Sequence, residues 1–284
     1  MENVFLGSDA IARRELTEYE LRRWYRPIFR NVYVPKDGVP SLRARTTGAW
    51  LRSQRRGVIA GVAASALHGA SWVDDDQVIE MISPSSRPQA GLLVRNESLA
   101  DDEITWACRL PVTTRVRTAF DLGRYLPRGE AVARLDALMR VQIFSAEDVL
   151  LLAKRYPRAR GLKSLRKVLS LVDGGAESPR ETWLRLVYID GGLPVPTTQI
   201  PVCDRRGRLV RMLDMGWEDY MVGAEYDGDR HQTDRHRYVK DMRVMPILRR
   251  MGWDVMQVIK EDRPDEIVAR AKAALMARGW RLSS

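Results

Sequence analysis

The chain has 284 residues, 47 Lys plus Arg against 37 Asp plus Glu, a formal net charge of +10 and 45% hydrophobic residues. That length suffices for two compact domains, the composition excludes disordered and collagen-like classes, and no window approaches the ~18 uninterrupted apolar residues of a membrane span. Met1 to Arg14 lacks the apolar stretch of a signal peptide, and Cys108 and Cys203 are too few and too far apart for a disulfide framework or a structural zinc site. A soluble cytoplasmic protein without a membrane partner is expected.

The positive charge is nearly all arginine, because only seven residues are lysine. The planar arginine fork suits phosphate, and the net excess favours a polyanionic partner such as nucleic acid. Arginine-rich usage also follows from a GC-rich genome, which accounts for the type of base but not for the excess.

Thr17, with Glu20 three residues on, predicts a capped helix over Leu16 to Trp24, and Phe29 to Val34 alternates like a strand that ends at Pro35 and Gly38. This order is compatible both with the end of a winged helix-turn-helix and with a generic α+β start. Ser41 to Arg55 reads as a helix carrying the basic cluster Arg43, Arg45, Arg52, Arg55 and Arg56, assigned here to nucleic-acid contact, and Val58 to Leu67 as a buried helix. Short β-like runs at Val78 to Ile82, Leu92 to Val94 and Ile104 to Trp106 predict a small sheet. Helical spacing returns in Arg117 to Tyr125, Glu130 to Arg140, Ala146 to Tyr156 behind a Ser145 cap, and Leu162 to Val172. Asp173-Gly174-Gly175 marks the main domain boundary.

Beyond it, Ser178, Pro179 and Glu181 form a capping-box start for a helix to Ile189. Strands over Thr197 to Val202, Leu209 to Leu213 and Met221 to Tyr226 follow, then a helix from Thr233 to Met251, a strand from Asp254 to Ile259 and a helix from Pro264 to Arg278. The order is α, β, β, β, α, β, α.

Asp214 ends the second of these strands, and Glu225 and Asp227 end the third, with Tyr226 on the opposite face by strand alternation. Carboxylates converging at strand ends call for a cation, and oxygen-only ligation is what Mg²⁺ prefers. The alternative is that Asp214 opens a turn, Asp227-Gly228 makes another, and Glu225 is solvated.

Glu181, Asp214 and Glu225-Tyr226-Asp227 in this order resemble the PD-(D/E)XK nuclease core. More narrowly, Glu177 to Glu181, Leu193-Pro194 with Gln199, Leu213-Asp214, Ala224 to Gly228 with His231, Asp241-Met242-Arg243 and Gly252-Trp253 resemble domain-of-unknown-function family 559, a relative of the very-short-patch repair endonucleases. The resemblance implies that Asp214 and Glu225 bind Mg²⁺, with Mn²⁺ as a substitute, and that Glu181 reaches the site through a water. It also implies His231 as general acid or base, which gives Glu181, Asp214, Glu225, Asp227 and His231 as the catalytic set. The signature lysine is absent, since Asp227 stands two residues after Glu225. His231, Arg237, Lys240 or Arg243 would replace it, the last three also contacting nucleic acid.

Ala63 to Gly69 followed by Leu110 to Leu122 resembles the AbiEi-type antitoxins of type IV toxin–antitoxin systems, which implies a DNA-binding winged helix and a cognate toxin. His68 is then a packed residue, and Arg117 and Asp121 a local pair. The expected fold is an α+β N-terminal region with a winged helix and a C-terminal α/β restriction-endonuclease-like core. Its divisions are a winged-helix element at 1–40, an AbiEi-like α/β domain at 41–140, a helical connector at 141–175 and a nuclease-like domain at 176–284. The expected function is a Mg²⁺-dependent DNA endonuclease. The alternatives are a non-catalytic DNA-binding repressor or antitoxin on a degenerate nuclease fold, and a nuclease acting on RNA.

Overall fold

The structure, a computed structural model, describes residues 4–84, 86–227 and 235–281, with the backbone alone for 235–242. Its fold is mixed α/β with several sheets, divided into two units, Met1–Val172 and Asp173–Ser284.

The first unit opens with β1 (Phe5–Leu6), α1 (Gly7–Ala12) and α2 (Glu18–Trp24). The start of α2 is fixed locally: the Thr17 hydroxyl accepts the Glu20 N–H at 3.2 Å, and Glu20 Oε2 accepts the Thr17 N–H at 2.8 Å. The strand expected over Phe29 to Val34 is instead a hairpin of β2 (Tyr25–Phe29) and β3 (Val32–Pro35). Asn31, at φ 63°, turns the chain, a conformation that asparagine tolerates better than most residues. β1 pairs with β3, so the sheet order is β1-β3-β2. α3 (Leu42–Arg52) begins at Ser41, whose hydroxyl accepts the Ala44 N–H, and it packs on this sheet.

The helix expected over 58–67 divides into β4 (Val58–Ala60) and α4 (Gly61–Leu67). Val58, Ile59 and Ala60 are all buried, and they pair antiparallel with β5 (Ile79–Ile82) and parallel with β8 (Leu110–Thr113). Pairing on both sides outweighs helical propensity, and Gly61 at φ +60° supplies the switch. With β6 (Leu92–Arg95) and β7 (Ile104–Ala107) the sheet order is β6-β5-β4-β8-β7. β8 has no readable alternation because all four of its residues are buried.

Four helices complete this unit: α5 (Arg115–Tyr125), α6 (Arg128–Val141), α7 (Ala146–Arg155) and α8 (Leu162–Leu169). The residues expected as a connector contribute α7 and α8, which pack on α5 inside the first unit. The Arg117–Asp121 pair is present, Nε to Oδ2 at 3.0 Å, inside a larger buried network. Arg117 also reaches Glu103 at 2.6 Å and Glu97 at 2.8 Å, and Arg124 reaches Asp121 at 2.7 Å.

In the second unit α9 (Pro179–Asp190) is followed by β9 (Thr197–Cys203), β10 (Leu209–Trp217), β11 (Val222–Asp227), α10 (Arg235–Arg250), β12 (Asp254–Ile259) and α11 (Pro264–Ala277). The sheet order is β12-β11-β10-β9. β10 runs antiparallel to its neighbours β9 and β11, and β12 is parallel to β11. Leu184 and Tyr188 of α9 and Ile267, Ala271 and Leu275 of α11 form one core with Met215, Ala224 and Val258. Leu248 of α10 joins Ile200, Val202, Leu213 and Trp253 in another. The sheet is therefore covered by helices in two separate cores. Pairing with β9 and β11 carries β10 on to Trp217, so Asp214, expected at a strand end, lies inside its strand, as Glu225 does in β11.

Candidate active site

β10 and β11 pair from Trp217 opposite Val222 to Met215 opposite Ala224. At the next step the Asp214 side chain takes over from the backbone, its Oδ2 accepting the Tyr226 N–H at 2.7 Å. This bond sets Asp214 beside Glu225. Tyr226 packs edge-on against Trp183 of α9, with ring centroids 6.2 Å apart, so alternation turns Glu225 and Asp227 to the other face.

Glu225 is 6% exposed, and both its oxygens are held by Arg211: Nε donates to Oε1 at 2.6 Å and Nη2 to Oε2 at 2.8 Å. Arg211 is the site residue that sequence reasoning missed. A buried carboxylate does call for a cation on a neighbouring strand, but the register shift between Leu209 and Arg211 scrambles the alternation that would have pointed to it.

Burial pushes the Asp214 carboxyl up to about 7, with the Glu181 and then the Glu225 carboxylates adding to the shift, while the Tyr226 N–H and the Arg211 guanidinium oppose it. Glu181 is buried at the start of α9, where the Ser178 hydroxyl accepts the Glu181 N–H at 3.2 Å as expected, while the reciprocal bond of a capping box goes to Glu177 instead of Ser178. Glu181 Oε1 accepts the Ser178 hydroxyl at 2.9 Å, and Oε2 accepts the Glu177 N–H at 2.8 Å. Gln199, in the left-handed region at φ 52°, donates its side-chain amide to Glu181 Oε2 at 3.3 Å, which ties β9 to the same carboxylate.

Asp214, Glu225 and Glu181 together offer only oxygen donors, which suits Mg²⁺, and the mutual repulsion that raises Asp214 is what a divalent cation relieves. Among the described residues no group of three or more His, Cys, Asp or Glu is placed to hold a metal ion; Arg211 engages Glu225, and the start of α9 engages Glu181. Asp227 is the last residue of β11, opposite Ile259. His231 lies outside the described residues, as do the side chains of Arg237 and Lys240, while Arg243 is exposed on α10.

The five arginines read as one basic patch divide in their roles. Arg45 donates to the backbone carbonyls of Asp75 at 2.5 Å and Gln77 at 2.8 Å, and so fastens a loop. Arg43 is exposed and lines a cleft of ≈ 480 Å³ with Trp50 and Arg109. Arg52 is half-buried, while Arg55 and Arg56 are exposed, with Arg55 over the Trp50 ring at 6.0 Å. His68 is half-buried against the Thr113 carbonyl, 2.8 Å from Nε2, as expected for a packed residue. Among the described residues no helix is long and apolar enough to cross a membrane.

No family model matches the chain. It is 29% identical over 212 residues to the uncharacterized proteins Rv2248 and MT2308 of Mycobacterium tuberculosis, an alignment that covers 73% of this chain and 77% of each of theirs. The crystal structure of the RV2827C protein from Mycobacterium tuberculosis superposes with a TM-score of 0.41 at 16% identity, covering 59% of this chain and 71% of that one.

Proposed function

We propose that the second unit is a Mg²⁺-dependent endonuclease that hydrolyses DNA phosphodiester bonds, with the first unit as its DNA-binding region. The observation that carries this reading is the placement of Asp214 beside Glu225 through the Tyr226 N–H, with a guanidinium on Glu225. The order α, β, β, β, α, β, α around a mixed four-stranded sheet supports the PD-(D/E)XK reading. The short helices α1 and α2 followed by the β2–β3 hairpin support a winged helix. A surface kept only for binding phosphates has no evident reason to keep several carboxylates that repel them.

Asp214 and Glu225 would hold Mg²⁺ directly and Glu181 through a water. When bound, the cation supplies charge neutralisation at the phosphate and acidifies water for attack. Arg211 takes the part of the absent signature lysine, because its planar fork matches two phosphate oxygens and is always charged. His231 serves as general acid or base, as an imidazole does near neutral pH.

The Arg211–Glu225 pair also favours a second reading, since it neutralises a carboxylate that a cation would otherwise claim. In that reading the protein is a DNA-binding repressor or antitoxin-like regulator, paired with a cognate toxin, on a nuclease fold that no longer cuts.

The deciding experiment incubates supercoiled plasmid with wild type, Asp214→Ala and Glu225→Ala in Mg²⁺, Mn²⁺ or EDTA. Metal-dependent nicking abolished by both substitutions is expected. Salt-sensitive DNA binding with no cleavage in either metal would move the conclusion to the regulator.

A further inference from the structure

We propose that a cleft in the first unit, between the start of α1, the β2–β3 turn and the end of α3, binds a phosphate group, and that this phosphate is a backbone phosphodiester of nucleic acid. The cleft measures ≈ 470 Å³, and its polar lining includes Arg30, Asn31, Arg52, Gln54 and Arg55 with Asp9. Three guanidinium groups thus stand against one carboxylate. Among the described residues none of these three arginines forms an ion pair, whereas Arg117 and Arg124 of the same unit are each held by several carboxylates. The Nε of Arg52 is buried and has no hydrogen-bond partner among the described residues. That N–H is left for an acceptor to satisfy, and Arg52 is among the residues that line the cleft.

The walls are fastened before any ligand arrives. Asn31 Oδ1 accepts the Ser8 N–H at 2.9 Å, and Asn31 Nδ2 donates to Ser8 Oγ at 2.8 Å. Asn31, Gln54 and Arg55 all hold left-handed backbone, at φ 63°, 57° and 61°, so three non-glycine residues in a costly conformation line one cleft. Phosphate is the matching ligand because its oxygens take guanidinium forks in pairs. Among the described residues no aromatic ring lines the cleft to stack a base, which favours a polymer's backbone over a free nucleotide. The inference rests on reading the first unit as the DNA-binding region and adds Arg30, Asn31 and Gln54 to it. Its test is read in EDTA, without cleavage, and so stands or falls separately from the nuclease.

The full chain is titrated against a fluorescent DNA duplex across a NaCl series by anisotropy, with Arg30→Gln, Arg52→Gln, Arg55→Gln, Arg52→Lys and, outside the cleft, the exposed Arg158→Gln. Each cleft glutamine is expected to weaken binding about three- to tenfold and to lower the salt slope by about one contact. Arg52→Lys should fall between, because it keeps the charge and loses the fork, and this separates a lost contact from a lost fold. Calorimetry with ADP and with inorganic phosphate forms the second arm. ADP binding lost in Arg52→Gln, with DNA affinity intact, would overturn the nucleic-acid source. Cleft variants no weaker than Arg158→Gln towards DNA, with neither ADP nor phosphate bound, would overturn the site.

Discussion

Arg211 on β10 grips Glu225 on β11 through two parallel hydrogen bonds, with the Glu225 side chain 7% exposed and that of Arg211 21%. A carboxylate this deep is tolerable only because the guanidinium is there. Arg211→Ala should therefore destabilise the second unit by about 3–5 kcal/mol, and pairing Arg211→Met with Glu225→Gln should recover most of the loss, both read by urea unfolding. Mg²⁺ should raise the unfolding midpoint of Arg211→Ala more than that of wild type, because the cation then fills the place of the guanidinium. Equal Mg²⁺ effects on both proteins would remove Glu225 from the cation site.

Glu181 has a structural task whether or not it serves a cation, since it closes the α9 cap with Ser178 and receives Gln199. Glu181→Ala should cost about 1–2 kcal/mol of stability in EDTA, as cap losses do. Glu181→Gln, which keeps an acceptor for the Glu177 N–H, should cost less. If Glu181 also serves the reaction, Glu181→Gln should still slow plasmid nicking while remaining folded.

The first unit depends on a different ion cluster. Arg117 is 1% exposed and touches Glu97, Glu103 and Asp121. Arg117→Met should cost about 3–5 kcal/mol, because it strands buried carboxylates. Arg22→Met, which removes the exposed i,i+4 pair with Glu18, should cost no more than about 0.5 kcal/mol. Comparable losses from the two substitutions in thermal or urea melts would contradict the assignment of stability to burial.

His68 gives the pH dependence a sign. Burial lowers its pKa below the ordinary 6.5, outweighing the Thr113 carbonyl bond, which raises it. The unfolded chain then binds a proton at a pH where the folded chain does not, so stability is full above the unfolded value and falls as pH drops below about 6.5. Unfolding midpoints measured down to about pH 5 should decline in wild type, and less steeply in His68→Gln, which can still donate to Thr113. An unchanged slope would assign the decline to other groups.

The sequence carried the local features well. The caps at Thr17, Ser145 and Ser178 lie where side chain and backbone meet within three residues, and each starts the helix it announces. The second unit follows the expected order of elements because turn residues separate its strands. The reading failed where a segment's partner lies far along the chain. Val58 to Ala60 looks helical until β5 and β8 pair with it, and Arg45 looks like a free base until the carbonyls of residues 75 and 77 claim it.

By itself the sequence determined where capped helices begin and which strands carry Asp214 and Glu225, because these depend on neighbours a few residues apart; it ended the first of those strands too early, since β10 runs past Asp214 to Trp217. Only the tertiary structure decided what those carboxylates meet. Arg211 is fourteen residues from Glu225, and Gln199 eighteen from Glu181. Whether such groups touch depends on strand register, on one irregular step in β10 and on helices packed over the sheet. Those are properties of pairing and burial, which no local pattern encodes.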